Sequence, residues 1–469
     1  MFQVVPHRVT RETAELFCGA FLGDEPPPHA ILRWVESGTA KQATLNEADW
    51  STFLSDEMSS IHYIRREIAG LTPGVSYQVE LAAANGEVLA SAIFDTLPNR
   101  LPTHGNGSGP NRPLSIWLSS CFYSPKAPSG LEEMVRSVVA DARIRPHLTI
   151  FSGDQVYLDY PQKKVLLLNR EALRQHFNEV YTSSWTHPGF ASLLSTGASY
   201  FLLDDHEFWD NYPDAPSSLL WGLRGADFWD AWRRLALQRY EALQSLTANQ
   251  KLEIGAEGAP ELSIFFAQTR LERSKGPYRI LTEESMQALE SWLANLRCPG
   301  VLVVTQPVIS HGGGSGDRKM QDYRQFRERL QPALANAPCD IVVLAGDPHF
   351  GRVAVVEFEK HRMVEIIASP LTLVTPQVGA AKAETPATFP SYGPMTSRRV
   401  VTYPRTVPSY QAGGYTLSEE HGMLLSFYRP TDTELCLRVT LKLARQDTPA
   451  DEWHWETKLR FPKAMSSGR

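Results

Sequence analysis

The chain is poor in cysteine, carries no excess of positive charge and contains no long apolar run. Its five cysteines (Cys18, Cys121, Cys298, Cys339 and Cys436) are odd in number and scattered without Cys-x-x-Cys spacing. That pattern argues against a disulfide framework and a structural zinc knuckle, and points to reduced thiols. No stretch approaches the roughly 20 apolar residues that span a bilayer. The start, Met1-Phe2-Gln3-Val4-Val5-Pro6-His7-Arg8, has neither a leader-like apolar core nor a twin arginine, so a cytoplasmic location without membrane contact is expected. The formal net charge of -6 lacks the basic footprint of nucleic-acid binders, which disfavours nucleic acid as an obligate partner. There is no internal repeat and no Gly-x-Ser-x-Gly nucleophile elbow.

What is present is enough chain for two or three domains: 469 residues, 42% hydrophobic. Residues 1–98 read as a small all-β sandwich, with strand-like runs at 30–36, 76–81 and 88–94 and a hairpin signal at Asn85-Gly86. The Pro-, Gly- and Asn-rich stretch 99–113 reads as a linker. From 114 onward strands (115–119, 148–152, 200–203, 301–309, 341–345) alternate with helices (131–143, 164–181, 217–243, 283–296, 322–334), which predicts α/β layers. A long loop is expected around 375–415, and strands resume at 423–429, 435–443 and 453–461.

Three apolar, β-branched-rich runs stop on metal-ligand residue types. Leu148-Thr149-Ile150-Phe151-Ser152 leads into Gly153-Asp154-Gln155-Val156-Tyr157, Tyr200-Phe201-Leu202-Leu203 into Asp204-Asp205-His206-Glu207, and Ile341-Val342-Val343-Leu344-Ala345 into Gly346-Asp347-Pro348-His349. In open α/β sheets ligands bind at the carboxyl ends of strands, so the three ends can converge on one crevice. Burying four ionisable groups at 204–207 without metals or partners would be costly.

Asp154, Tyr157, Asp205 and His349 suit a pair of cations roughly 3.5–4 Å apart, bridged by one carboxylate. A phenolate from Tyr157 is a hard donor for a trivalent iron, and Cys121 after Trp117-Leu118-Ser119-Ser120 offers a thiolate. His206, beside Asp205, can donate a proton to a leaving alkoxide near neutral pH. Asp347 and His349, two apart, face one side if extended. Plainer readings stand beside these: Cys121 as a small buried hydrophobe, Tyr157 as a core tyrosine, Asp205 and His206 as a helix cap.

Ser119-Ser120-Cys121, Gly153-Asp154-Gln155-Val156-Tyr157, Asp204-Asp205-His206-Glu207-Phe208-x-x-Asn211-Tyr212 and Gly346-Asp347-Pro348-His349 together resemble the PhoD-like alkaline phosphatase and phosphodiesterase family. The resemblance runs from about residue 114 to 368. It implies a metallophosphoesterase-like α/β/β/α sandwich behind an N-terminal β domain, and here Gly70-Leu71-Thr72-Pro73-Gly74-Val75-Ser76-Tyr77 with Phe94-Asp95-Thr96-Leu97-Pro98 resembles the last strands of a fibronectin type III-like sandwich. It also implies a site similar to purple acid phosphatases, with ferric iron, Fe(3+), and one or two calcium ions, Ca(2+). Carried over, Cys121, Asp154 and Tyr157 would hold iron, with Asp154 bridging, while Asp205, Asp347 and His349 complete the shells. A metal-bound hydroxide would then hydrolyse phosphate mono- or diesters with His206 as general acid and Asn211 in the site.

The segment Gln268-Thr269-Arg270-Leu271-Glu272-Arg273 looks like the family's Asp-x-Arg-x-x-Arg stretch with Gln268 in place of the acid; Arg270 can still meet phosphate oxygens. His311 matches a ligand motif of broader metallophosphoesterases. Two rivals to the small phosphate-ester substrate follow from these details. The departure at Gln268 allows a binding protein on a decayed scaffold, and His311-Gly312-Gly313-Gly314 before Ser315 allows a serine esterase.

Overall fold

The computed structural model describes residues 1–462 except 28, 37–38, 54–59, 106, 108–110, 162–163, 165–168, 215–223, 246–248, 311–317, 373–396, 402–416, 418 and 445–452. Two large sheets face each other. One has ten strands, in spatial order His454–Arg460, Glu434–Leu443, His421–Thr431, Leu114–Ser119, Leu148–Ser152, Ala198–Leu202, Phe2–His7, Thr13–Ala20, Ile61–Ala69 and Ser51–Phe53. The other has seven, Lys251–Ala256, Ala259–Phe266, Gly300–Val303, Ile341–Ala345, Arg362–Ile367, Arg352–Glu357 and Ser397–Val401. A third, antiparallel sheet orders Thr39–Asn46, His29–Glu36, Ser76–Ala83 and Val88–Asp95.

The layering follows from the two-residue period of strands, which sends alternate side chains to opposite faces. Ile116, Leu118, Ile150, Tyr200 and Leu202 of the first sheet share one apolar cluster with Ile264, Phe266, Val301, Val303, Val342 and Leu344 of the second. Tyr200 and Phe266 stack across this seam, 4.8 Å between ring centres. The intervening Trp117, Phe151 and Phe201 face outward and pack on helices Leu131–Val139, Arg170–Trp185 and Pro188–Leu194. Phe265, Leu302 and Val343 do the same on the other side, against Glu283–Ala294. The strands are therefore buried on both faces, which is why they read as continuous apolar runs. This is an α/β/β/α sandwich.

The central strands of each sheet run parallel: Leu114–Ser119, Leu148–Ser152 and Ala198–Leu202 in one, Ala259–Phe266, Gly300–Val303 and Ile341–Ala345 in the other. The carboxyl ends of Leu114–Ser119, Leu148–Ser152, Ala198–Leu202, Ala259–Phe266 and Ile341–Ala345 bring candidate residues to one edge of the sandwich. Strands Phe2–His7 and Thr13–Ala20 extend the ten-stranded sheet, with His7 paired in parallel register to Ser199.

Several elements differ from the sequence expectation. The strand expected over 301–309 stops at Val303, because the backbone N–H groups of Val308 and Ile309 donate to the buried carboxylate of Glu365 instead of a neighbouring strand. The helix expected over 322–334 runs without interruption from 324 to 335, wound as a π-helix over Phe326–Leu330 just before Pro332, whose missing N–H removes one regular bond; the turn Met320–Asp322 precedes it. The helix expected from 164 runs as Arg170–Trp185, capped where Asn169 accepts the N–H of Ala172 at 2.8 Å. The expected loop 375–415 contains the strand Ser397–Val401, paired antiparallel to Arg352–Glu357; the remainder of that stretch and residues 217–223 lie outside the described residues. Among the described residues no helix is long and apolar enough to cross a membrane.

Candidate metal centre

Each strand end delivers its residues through a short, tightly fixed turn. After Leu148–Ser152 the chain turns at Gly153, whose φ is +106°; a Cβ there would sit 2.5 Å from the Asp204 Cβ, so only glycine lets the two loops touch. Gly346 does the same between the sheets, where a Cβ would meet Ser120 Cβ at 2.5 Å and the Ser152 carbonyl at 2.6 Å. Backbone bonds then lock the turns together: Cys121 N–H to Gly153 O at 3.1 Å, Phe122 N–H to Asp154 O at 2.7 Å, and Leu158 N–H to His206 O at 2.9 Å.

Glu207 is the keystone of this turn cluster. Fully buried, its carboxylate accepts the N–H groups of Asp154 (3.0 Å), Gln155 (2.6 Å), Val156 (3.4 Å) and Asp204 (2.8 Å). Gln268 secures the strand that carries this run. Its carbonyl accepts the Leu203 N–H at 3.1 Å, and its amide donates to Phe201 O (3.3 Å) and the Tyr240 hydroxyl (2.7 Å). Those bonds use both ends of an amide, so a carboxylate there would lack the donor end.

The backbone itself is bent unusually. Cys121, Asp154, Asn211, Asp347 and His349 have φ of 57°, 57°, 65°, 72° and 39°, five of the nine non-glycine residues of the described chain in the left-handed region. Such conformations are sparsely populated by L-residues, and they cluster at functional sites where surrounding structure holds them.

The side chains of four strand ends interlock. Cys121 Sγ lies 3.5 Å from Asp154 Oδ2, Tyr157 hydroxyl 3.4 Å from His349 Nε2, and the Tyr157 ring stacks on His206 at 4.2 Å. Three overlapping groups have donor atoms within 4.8 Å of one another: Cys121, Asp154 and His349; Asp154, Asp205 and His206; Asp204, Asp205 and Asp347. Asp154 and Asp205 each belong to two groups, so they occupy the bridging positions of the array.

Charge is distributed unevenly along it. Arg270 donates through Nε to Asp204 at 2.6 Å and reaches Asp205 and Asp347 at 3.4 and 3.6 Å; its Nη1 donates to the Tyr212 carbonyl at 3.0 Å. Lys319 Nζ stands 3.3 Å from Asp347, whose Oδ2 also accepts from Gln306 Nε2 at 3.4 Å. Burial raises the Asp205 carboxyl, but Arg270, His206 and the Asn211 N–H (2.7 Å) outweigh it and hold the group below the usual carboxylate range. Burial likewise opposes ionisation of Asp347, and Lys319 leads the groups that bring it down. At the other end His206 is the group that draws Asp154 down, and burial outweighs it. There burial, joined by the Cys121 thiol, pushes Asp154 well up, burial pushes Cys121 up to about 12, and Tyr157 rises for the same reason.

The structure thus brings together Cys121, Asp154, Tyr157, Asp205, His206, Arg270, Asp347 and His349, with Asn211 at the edge through its backbone. His311 and Ser315 lie outside the described residues. Sequence reasoning missed Asp159, which is fully buried and accepts from His206 Nδ1 at 2.9 Å, and Gln306 and Lys319 beside Asp347. Asp159 follows Tyr157 by two positions, and its only sequence signal is an acid inside the otherwise apolar and aromatic turn 156–160.

No protein-family model matches the chain, and no curated protein matches it. Among solved structures, that of PhoD superposes over 98% of this chain and 91% of its own, at 14% identity and a TM-score of 0.60. Purple acid phosphatase PPD1, isolated from yellow lupin (Lupinus luteus) seeds, superposes over 96% of this chain and 73% of its own, at 11% identity and a TM-score of 0.53. Likeness at such identity speaks for architecture, and the chain has the PhoD-like metallophosphoesterase fold.

Proposed function

We propose that the chain is a metal-dependent hydrolase of phosphate mono- or diesters. The observation that carries this reading is the position of Asp154, common to a thiol–carboxylate–imidazole group and to a carboxylate–carboxylate–imidazole group, as a bridging ligand would be. The donor set fits cations. Cys121, Tyr157 and His349 with Asp154 combine a thiol, a phenol and an imidazole around a carboxylate, a set suited to ferric iron. Asp205 and Asp347 offer only oxygen, as calcium prefers. Bound there, cations would polarise the phosphoryl oxygens, lower the pKa of water and neutralise charge developing at phosphorus.

The chain's own residues supply the rest. Asp159 fixes the His206 ring through Nδ1–H, because a carboxylate only accepts; the proton for the leaving oxygen is then held at Nε2. Lys319, placed beside Asp347, orients phosphate oxygens as a point charge, while Arg270, engaged by Asp204 and the Tyr212 carbonyl, holds the carboxylates of the centre in place and adds positive charge beside them. Asn211, anchored by its N–H on Asp205, presents its amide to the substrate. The firm bonding of Gln268 removes the main support for a decayed site. The substrate is a small phosphate ester, with no requirement for nucleic acid or membrane. We place the activity in a reducing, cytoplasmic setting, where a free Cys121 thiol persists; all five cysteines are unpaired and buried.

Elemental analysis of the purified protein should find iron and calcium. The protein should hydrolyse 4-nitrophenyl phosphate or its bis ester, lose that turnover on chelation and regain it when metal returns. Metal-free protein with undiminished turnover would overturn the reading.

A further inference from the structure

Beside the candidate centre lies a second cavity, of about 170 Å³, that the hydrolytic reading leaves without a role. Tyr123, Tyr157, Tyr160, Pro125 and Pro161 form its aromatic side, and His176, the pair Lys164 and Glu179 and three serines lie on its polar side. The three tyrosines meet edge to face, with ring centres 5.4 Å apart for Tyr123 and Tyr157, 5.9 Å for Tyr157 and Tyr160, and 6.0 Å for Tyr123 and Tyr160. This is the mutual geometry that aromatic groups prefer, so the cluster is a preorganised apolar wall. The wall is also held from behind: Tyr123 N–H donates to the Thr372 hydroxyl at 2.6 Å, and Tyr160 N–H to the Tyr157 carbonyl at 3.3 Å.

Tyr157 is shared. One side of its ring stacks on His206, its hydroxyl reaches His349, and it lines the cavity as well. Tyr160 touches His206 edge-on at 5.6 Å. One ring, Tyr157, therefore separates the cavity from His206 and His349 of the candidate centre. Among the described lining residues, acidic and basic charge is confined to Lys164 and Glu179, which pair at 2.6 Å, so neither a cationic nor an anionic group finds a counter-charge there. A cavity of roughly 150 Å³ is large enough to hold a benzene ring, so the size suits one planar ring laid against the tyrosines.

We infer that this cavity receives a planar, uncharged aromatic group carried by the phosphorus, and that the site prefers aryl over alkyl phosphate esters. The inference rests on the phosphoesterase reading and names its substrate class. Ring-on-ring contact and exclusion of water supply the preference; His206 and the carboxylates act on either kind of ester.

The test compares phenylphosphonate with methylphosphonate as inhibitors of 4-nitrophenyl phosphate turnover by the metal-loaded protein, with binding followed in parallel by calorimetry. Phenylphosphonate should bind about tenfold more tightly, on the scale of one apolar group in a fitted pocket. Tyr123→Ala and Tyr160→Ala should each erode that ratio, whereas Tyr160→Phe, which keeps the ring, should preserve it; thermal melting confirms that the variants fold. Equal binding of the two phosphonates with turnover intact overturns the pocket, as does a ratio that survives both alanine variants. Absence of turnover with neither phosphonate bound overturns the phosphoesterase reading, and the pocket with it.

Discussion

Asp159 and His206 form a buried pair in which the carboxylate holds the imidazole at 2.9 Å from Nδ1 while its Oδ2 also takes the Asp210 N–H at 2.9 Å. The acid is thus fixed by two donors and cannot follow the ring if it swings. His206 is further confined by the Tyr157 ring on its face. Replacing Asp159 by Asn removes the charge and permits the amide to present a donor to Nδ1. We expect kcat for 4-nitrophenyl phosphate to fall about ten- to hundredfold, the usual range for a group that orients a site residue, with a smaller change in KM. Steady-state kinetics decide it, and an unchanged kcat would remove Asp159 from this role.

Glu207 should matter for stability before it matters for turnover. Its Oε2 serves Asp154 and Asp204, and its Oε1 serves Gln155 and Val156. In Glu207→Gln one of those oxygens becomes an NH2 facing two buried N–H donors, which is uncompensated. Leaving such groups unsatisfied costs about 3 kcal/mol. Urea unfolding should report that loss, and a midpoint equal to that of the parent would contradict the keystone role.

Gly153→Ala and Gly86→Ala separate two penalties. Both glycines have positive φ, +106° and +93°, but a Cβ at 153 meets Asp204 at 2.5 Å while one at 86 meets nothing within 4 Å. Backbone strain alone costs on the order of 1–3 kcal/mol. Gly153→Ala should cost more than Gly86→Ala and should also reduce bound metal, because Asp204 must move. Equal losses would mean that the contact relaxes freely.

Acid should weaken the fold through three buried imidazoles. Burial is the leading cause that lowers His7, His147 and His421 to about 3 from an ordinary value of 6.5. They stay neutral in the native state while the unfolded chain takes up protons below about pH 6.5, so their contribution is complete above that pH and is lost as pH falls toward 3. His147 shows why protonation is resisted: its Nδ1 accepts the Ser115 N–H at 3.1 Å and Arg112 stands nearby. Urea midpoints measured from pH 7 to pH 4 should fall steadily, and His147→Gln should flatten the slope. A variant with the parental slope would exclude His147 as a contributor.

Much of the centre was legible because each strand is apolar on both faces and then stops abruptly. Ser152-Gly153-Asp154, Leu203-Asp204-Asp205 and Ala345-Gly346-Asp347 mark the ends directly, and the parallel order of their strands does the rest. What could not be read is contact between segments distant in sequence. Arg270 looked like a phosphate ligand; its clamp on Asp204, 66 positions away, is a property of two sheets meeting. Gln268 looked like a lost acid, and only the Leu203, Phe201 and Tyr240 atoms around it explain an amide. Strand 301–309 was overextended because a β-rich composition does not reveal that Glu365 captures Val308 and Ile309.

The left-handed backbone at Asp154 and Asp347 has an evolutionary corollary. Asparagine adopts that conformation at least as readily as aspartate, so an acid-to-amide change at either position would fit the turn and could even relax it. The same change would strip a charged donor from the array. Descendants of this chain could therefore drift into silent, durable copies that fold as well as their ancestor, and a search for thermally tougher variants would enrich for the inactive ones. On the phosphoesterase reading, selection for turnover rather than for durability would be what keeps those two carboxylates in place.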